Sequence, residues 1–155
     1  SYDIDLRLPR GSAAARPEWA IADAAVETAF EIGARAIVAI TGSGRTARLL
    51  SARRPSVPIY AFAPDPAVRR RVALMWGISP QAIEPIPDPD LILQDALARM
   101  LRTGHVKPGE RVIFVYGAPL WGEGTYTNTV RVATAPSPPA PPPRRSPAAG
   151  RSRRT

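Results

Sequence analysis

The sequence has no cysteine, which excludes disulfides, thiolate zinc sites and a thiol nucleophile. It has one histidine, His105, so a multi-histidine metal centre is excluded as well. Its only lysine, Lys107, sits in a Lys-Pro-Gly-Glu turn, and no pair of carboxylates is spaced as a magnesium site would need. No apolar run approaches the ~20 residues that cross a bilayer, so no membrane role is expected. The chain begins at Ser1 with neither an initiator methionine nor a secretory leader, as expected of a cytoplasmic piece of something longer.

What remains is ordinary globular composition, 45% hydrophobic and 22% charged over 155 residues. At roughly 100–200 residues per domain this is one domain with ends to spare. The net charge of +8 is unevenly placed. Residues 134–155 hold Arg144, Arg145, Arg151, Arg153 and Arg154, no acid, and seven of the 19 prolines. Without them the chain keeps 16 basic against 13 acidic residues. A stretch so rich in proline has few backbone donors and little to bury, so a disordered tail is expected there. It can attract phosphate nonspecifically, which leaves a nucleic-acid tether as a minor reading, without sequence-specific recognition. Residues 1–17, with Pro9 and Gly11, read as a linker.

Between the ends, helical and strand patterns alternate. Pro17 and Glu18 suit a first helical turn, Trp19, Ala22, Val26, Ala29 and Phe30 recur at helical spacing, and Gly33 ends the run. Ala36–Ile40 is a short unbroken apolar run, as in a parallel strand buried on both faces. A helix is expected over Arg45–Arg53 and a second buried strand over Ile59–Ala63. Asp65 caps a helix with Pro66 in its first turn and Val68, Val72 and Met75 as its apolar stripe, closed by Gly77. Gln81–Ile86, interrupted by Pro85, is at best a short edge strand. Asp88-Pro89-Asp90 opens a helix with Leu93, Ala96, Leu97, Met100 and Leu101 inward, and Arg111–Tyr116 is strongly β-prone. Thr127–Ala133 alternates as a half-buried strand does and follows without an intervening helix, so it is expected to run antiparallel. The expected fold is α/β: a three-layer sandwich around a mostly parallel five-stranded sheet with an antiparallel last strand.

The best candidate site is Thr41-Gly42-Ser43-Gly44-Arg45-Thr46, which leaves a buried strand and opens a helix. Glycines let a ligand approach the backbone, the first helical turn offers N–H groups and a favourable dipole, three hydroxyls stand ready, and Arg45 offers a fork that suits phosphate. A plain strand-to-helix turn with a capping hydroxyl reads equally well. The same stretch loosely matches a dinucleotide fingerprint through Ala47, with Asp65 as the ribose carboxylate, although Pro64 and Pro66 favour a capping role for it. Asp88 and Asp90 read as helix-capping residues, and His105 as an exposed turn residue without a fixed partner. No catalytic constellation stands out.

Thr41–Pro80 resembles the carboxy-terminal domain of pyruvate kinase. The shared motifs are T-x-S-G-R-[ST]-A at Thr41–Ala47, R-P-x-x-P-I at Arg54–Ile59, and a helix ending in W/R-G-[IV] at Trp76–Ile78. The flanks AIADAAVETAFEIGARAIVAIT and GHVKPGERVIFVYGAPLWGEGTYTNTVRV agree, so the likeness covers residues 18–133. The resemblance implies an allosteric and oligomerisation domain. Its full-length enzyme transfers phosphate from phosphoenolpyruvate to ADP with magnesium and potassium, as a cytoplasmic homotetramer. It implies catalytic domains that are missing from this chain, no catalytic or metal residue within it, and no cofactor bound by it. It places an effector phosphate, from a sugar phosphate or a nucleotide monophosphate, at Thr41, Gly42, Ser43, Gly44, Arg45 and Thr46. An effector loop containing Gly122, Glu123, Gly124 and Thr125 would close over it. That loop departs from the family by its length and by Glu123, which would repel phosphate. A stand-alone phosphate- or nucleotide-binding module of the same fold is the alternative.

Overall fold

The computed structural model describes residues 16–148. The element order is α1 (Pro17–Glu31), β1 (Ala36–Ile40), α2 (Arg45–Ala52), β2 (Ile59–Ala63), α3 (Pro66–Val72), β3 (Ile78–Ala82), α4 (Pro89–Thr103), β4 (Arg111–Tyr116) and β5 (Thr129–Thr134). Proline and aspartate start the helices. Pro17, Pro66 and Pro89 occupy first turns, where a missing N–H costs nothing, and the Asp65 and Asp88 carboxylates accept the N–H groups of Ala67 and Asp90. Gly33 and Gly104 take the left-handed conformation just past α1 and α4.

The five strands form one sheet in the order β3-β2-β1-β4-β5. All neighbours are parallel except β4 and β5, which pair antiparallel with Phe114 opposite Arg131. The three inner strands are buried on both faces, which is why each reads as an unbroken apolar run. Alternate residues serve two cores. Ile37, Ala39, Ile59, Ala61, Ile113 and Val115 pack under α1, α2 and α3, whereas Val38, Ile40, Tyr60, Phe62 and Phe114 pack under α4. Phe62 and Phe114 are fully buried, each contributing about 1.5–3 kcal/mol of burial.

The edges differ from the sequence expectation. The short strand expected at Gln81–Ile86 lies at Ile78–Ala82, with Ile78 beside Ile59 and Pro80 beside Ala61. An edge strand tolerates Pro80 because only one side of it is paired. Ile83 and Ile86 are apolar because they pack against the α4 core on the way to that helix. Phe30, expected on the buried stripe of α1, is 79% exposed, since Ala22, Ala25 and Ala29 fill the contact. α2 stops one residue short of Arg53, and α3 ends at Val72, with turns carrying the chain to Gly77. The last strand starts two residues later than expected and ends at Thr134. The folded unit closes on Ala135, 1% exposed, whose N–H donates to Glu110 and whose carbonyl accepts from Gly109. Residues 136–148 form neither helix nor strand and are exposed. The rest of the expected tail, residues 149–155, and nearly all of the expected linker lie outside the described residues. No helix among the described residues is long and apolar enough to cross a membrane.

This topology leaves a natural crevice. From β1 the chain winds outward one way to β2 and β3, and after α4 it returns to β4 on the other side of β1. Where strand order reverses, the loops after the two central strands diverge at their carboxyl ends and leave room for a ligand.

Candidate functional site

The loop after β1 is held tight by its own side chains. The Thr41 hydroxyl accepts the Gly44 N–H at 2.8 Å, and the Ser43 hydroxyl accepts the Arg45 N–H at 3.3 Å. Gly44 has φ 90°, and a Cβ there would sit 3.0 Å from a Val72 methyl, so the loop seats directly on α3. Arg71 of α3 donates to the Ser43 carbonyl at 2.9 Å. The first turn of α2 then begins with N–H groups that have no intrahelical partner.

The loop after β4 meets it from the other side of the crevice. The Asn128 side chain pins its base through two 2.8 Å hydrogen bonds with the Ala118 backbone. At its tip Trp121 adopts φ 61°, and its ring lies against Gly42, where a Cβ would touch it at 3.5 Å. The indole N–H donates to the Ile86 carbonyl at 2.9 Å. Between the two loops the buried hydroxyls of Thr46 and Thr127 share a 2.6 Å hydrogen bond across 81 positions of sequence. The result is a cleft of about 800 Å³ with Thr41, Ser43 and Arg45 on one wall and Trp121, Gly124 and Thr125 on the other.

The negative charge in this cleft comes from α1. Glu18, 5% exposed in the first helical turn, receives both arms of the Arg45 fork, one of them at 2.8 Å. The hydrogen bond from Arg45 holds the Glu18 carboxyl below its ordinary value, outweighing the upward push of burial. The same bond raises the Arg45 guanidinium.

Five of the six loop residues line the cleft with the loop after β4, whereas Gly44 faces Val68 and Val72 of α3 instead, and the roles only partly match the expectation. Gly42 and Ser43 are exposed and Thr41 lines the cleft, although its hydroxyl already caps Gly44. The Arg45 fork, expected on a phosphate, lies on Glu18, and the Thr46 hydroxyl is engaged with Thr127. Gly122, Gly124 and Thr125 line the cleft, whereas the Glu123 side chain is exposed and forms no part of its wall. Asp65 and Asp88 cap helices, and Asp90 pairs with Arg131. His105, expected in solvent, is half-buried: its Nδ1 lies 3.2 Å from the Tyr60 hydroxyl and its ring lies 4.5 Å from that of Tyr60. None of these four lines the cleft. The sequence reading missed Glu18 as a cleft residue, and it assigned no individual role to Trp121 and Thr127 within the loop of residues 117–127. Only pairing information between distant positions would have found them, because each acts through a partner at least 27 positions away. Among the described residues, no three His, Asp or Glu side chains gather as a metal site would require.

The family model for the pyruvate kinase alpha/beta domain matches residues 19–133. A pyruvate kinase of Staphylococcus epidermidis is 36% identical over 113 residues, covering 73% of this chain and 19% of the relative. One from Lactobacillus delbrueckii subsp. bulgaricus is 34% identical over the same coverage. A crystal structure of a pyruvate kinase from Cryptosporidium parvum superposes with a TM-score of 0.70 at 30% identity, over 78% of this chain and 23% of that one. A second structure of the C. parvum enzyme, in complex with ADP, matches equally well over 24% of its chain. The chain therefore spans about a fifth of the length of the curated relatives it matches.

Proposed function

The chain belongs to the pyruvate kinase family, as its carboxy-terminal α/β domain, and on that premise we propose that the cleft between residues 41–46 and 117–127 binds the phosphate of an allosteric effector. The effector is a sugar phosphate or a nucleotide monophosphate. In the full-length enzyme this domain regulates phosphoryl transfer from phosphoenolpyruvate to ADP and contributes to a cytoplasmic homotetramer. Magnesium and potassium belong to the full-length enzyme's phosphoryl transfer in this reading. We assign those ions to its catalytic domains.

One observation carries the reading: two loops 81 positions apart are joined by the Thr46–Thr127 hydrogen bond and face one cleft at the switch point of the sheet. A dianion there meets the exposed Ser43 hydroxyl, the N–H groups of Thr46 and Ala47 in the first turn of α2 and the positive end of that helix. Arg45, 59% exposed, is near enough to turn its fork from Glu18 to the phosphate. Gly122, Gly124 and Thr125 then form the wall that closes over it.

Titration calorimetry with fructose bisphosphate, glucose 6-phosphate, AMP and NAD tests this, on the 155-residue chain and on the full-length enzyme. At least one phosphorylated effector is expected to bind. Each charge-assisted hydrogen bond lost contributes about 1.5–3 kcal/mol, so Ser43→Ala combined with Arg45→Ala is expected to weaken binding by roughly tenfold or more. A double variant that responds to every effector as the parent does overturns the proposal. NAD binding that Asp65→Ala abolishes would favour a dinucleotide site instead.

A further inference from the structure

A second groove, about 830 Å³, runs between α1, α2 and α3 on the far side of the loop after β1. Its character is unlike that of the effector cleft. The floor is apolar, made by Trp19, Leu49, Val72 and Met75. The rim carries four guanidiniums, those of Arg45, Arg48, Arg53 and Arg71, and no acidic residue lines the groove among the described residues. Two of the four are already compensated, Arg45 by Glu18 and Arg53 by Asp23. Arg71 meets only the Ser43 carbonyl, and Arg48 has no hydrogen-bond partner among the described residues.

We propose that this groove is a second ligand site, for a small amphiphilic anion with an apolar acyl or aryl body and a single carboxylate-type head. Its volume lies within the roughly 300–1,000 Å³ typical of small-molecule pockets. Arg48 and Arg71 supply the uncompensated positive charge for the head, and α2 and α3 hold them on opposite sides of one opening. The Leu49, Val72 and Met75 floor takes the body. A sugar phosphate does not fit this chemistry. Ser43 is the only hydroxyl in the lining, so the sugar hydroxyls would face apolar side chains and lose their hydrogen bonds to water without replacement. The two grooves are therefore selective for different ligands, although Ser43 and Arg45 form a wall of both.

The probe is 8-anilinonaphthalene-1-sulfonate, an aryl anion whose fluorescence rises in apolar surroundings, with decanoate as competitor on the 155-residue chain. Decanoate is expected to displace the dye, whereas decan-1-ol, lacking the head, and acetate, lacking the body, are expected to compete at least tenfold less well. Arg48→Ala with Arg71→Ala should weaken decanoate by roughly tenfold or more, and Arg48→Glu alone should do at least as much. Arg48 is exposed, so its replacement leaves the thermal midpoint in place and a lost signal cannot be ascribed to unfolding. Arg48→Lys restores part of the affinity, and Arg144→Ala with Arg145→Ala in the terminal segment changes nothing. Three results overturn the proposal: dye binding indifferent to Arg48→Glu, decan-1-ol competing as well as decanoate, or full displacement of decanoate by inorganic phosphate. The last would put the anion in the effector cleft, and a failed effector titration leaves these outcomes untouched.

Discussion

Glu18 is a carboxylate that the fold buries at the start of α1, and its burial is tolerable because the Arg45 fork meets both of its oxygens. It also competes with any phosphate for that fork. Glu18→Gln removes a negative charge from the cleft and releases Arg45, so phosphate affinity is expected to rise severalfold in calorimetry. An unchanged or lower affinity would show that Arg45 does not serve the ligand. The same residue gives a pH signature. Its folded carboxyl titrates below the ordinary value of 4.5, so its stabilisation is complete above that value and is lost as pH falls through the folded one. The thermal midpoint of Glu18→Gln should therefore fall less steeply on acidification than that of the parent. The sequence marked Glu18 only as a favourable charge at a helix start, and marked Arg45 as a phosphate ligand. Both readings are sound locally, and neither residue type reveals a partner 27 positions away.

At the level of elements, sequence legibility tracked burial on both faces. Ala36–Ile40, Ile59–Ala63 and Arg111–Tyr116 stand where their apolar runs put them, because an inner strand has no solvent side to blur the pattern. β3 was displaced because Ile83 and Ile86, which belong to the connection before α4, imitate the end of a strand. Phe30 misled because a bulky side chain suggests a core, whereas α1 meets the sheet through alanines. The turn glycines give a quantitative test. Gly33 and Gly44 both have positive φ, which costs a side chain roughly 1–2 kcal/mol. A Cβ at Gly33 would meet nothing within 4 Å, whereas one at Gly44 would press on Val72 at 3.0 Å. Gly44→Ala is therefore expected to destabilise the domain more than Gly33→Ala in urea unfolding. Equal losses would show that the seat of the loop on α3 carries no strain.

At the scale of the molecule, the alternation of elements was enough to put the candidate loop after a buried strand, but the crevice it shares with the loop after β4 depends on the strand order. That order has β4 settling beside β1, in a register that sets Ala36 opposite Val112, 76 positions away. The boundary of the folded unit was also two residues short in the sequence reading, because Ala135 has no strand signature and is held by backbone bonds to the turn before β4. This gives a sharp pair of truncations. Ending the chain after Ala135 removes only segments that are exposed or outside the described residues, so the thermal midpoint is expected to stay nearly unchanged. Retention on heparin should fall, since five arginines leave with the segment. Ending it after Thr134 also removes the Ala135 N–H to Glu110 bond at 2.8 Å, the Gly109 N–H to Ala135 bond at 2.9 Å and the buried Ala135 methyl. At about 0.5–1.5 kcal/mol per net hydrogen bond, the second truncation should lie roughly 1–3 kcal/mol below the first. If the two unfold together, the sheet ends at β5 and Ala135 is only a neighbour. If the longer one already melts well below the parent, residues beyond Ala135 pack on the domain.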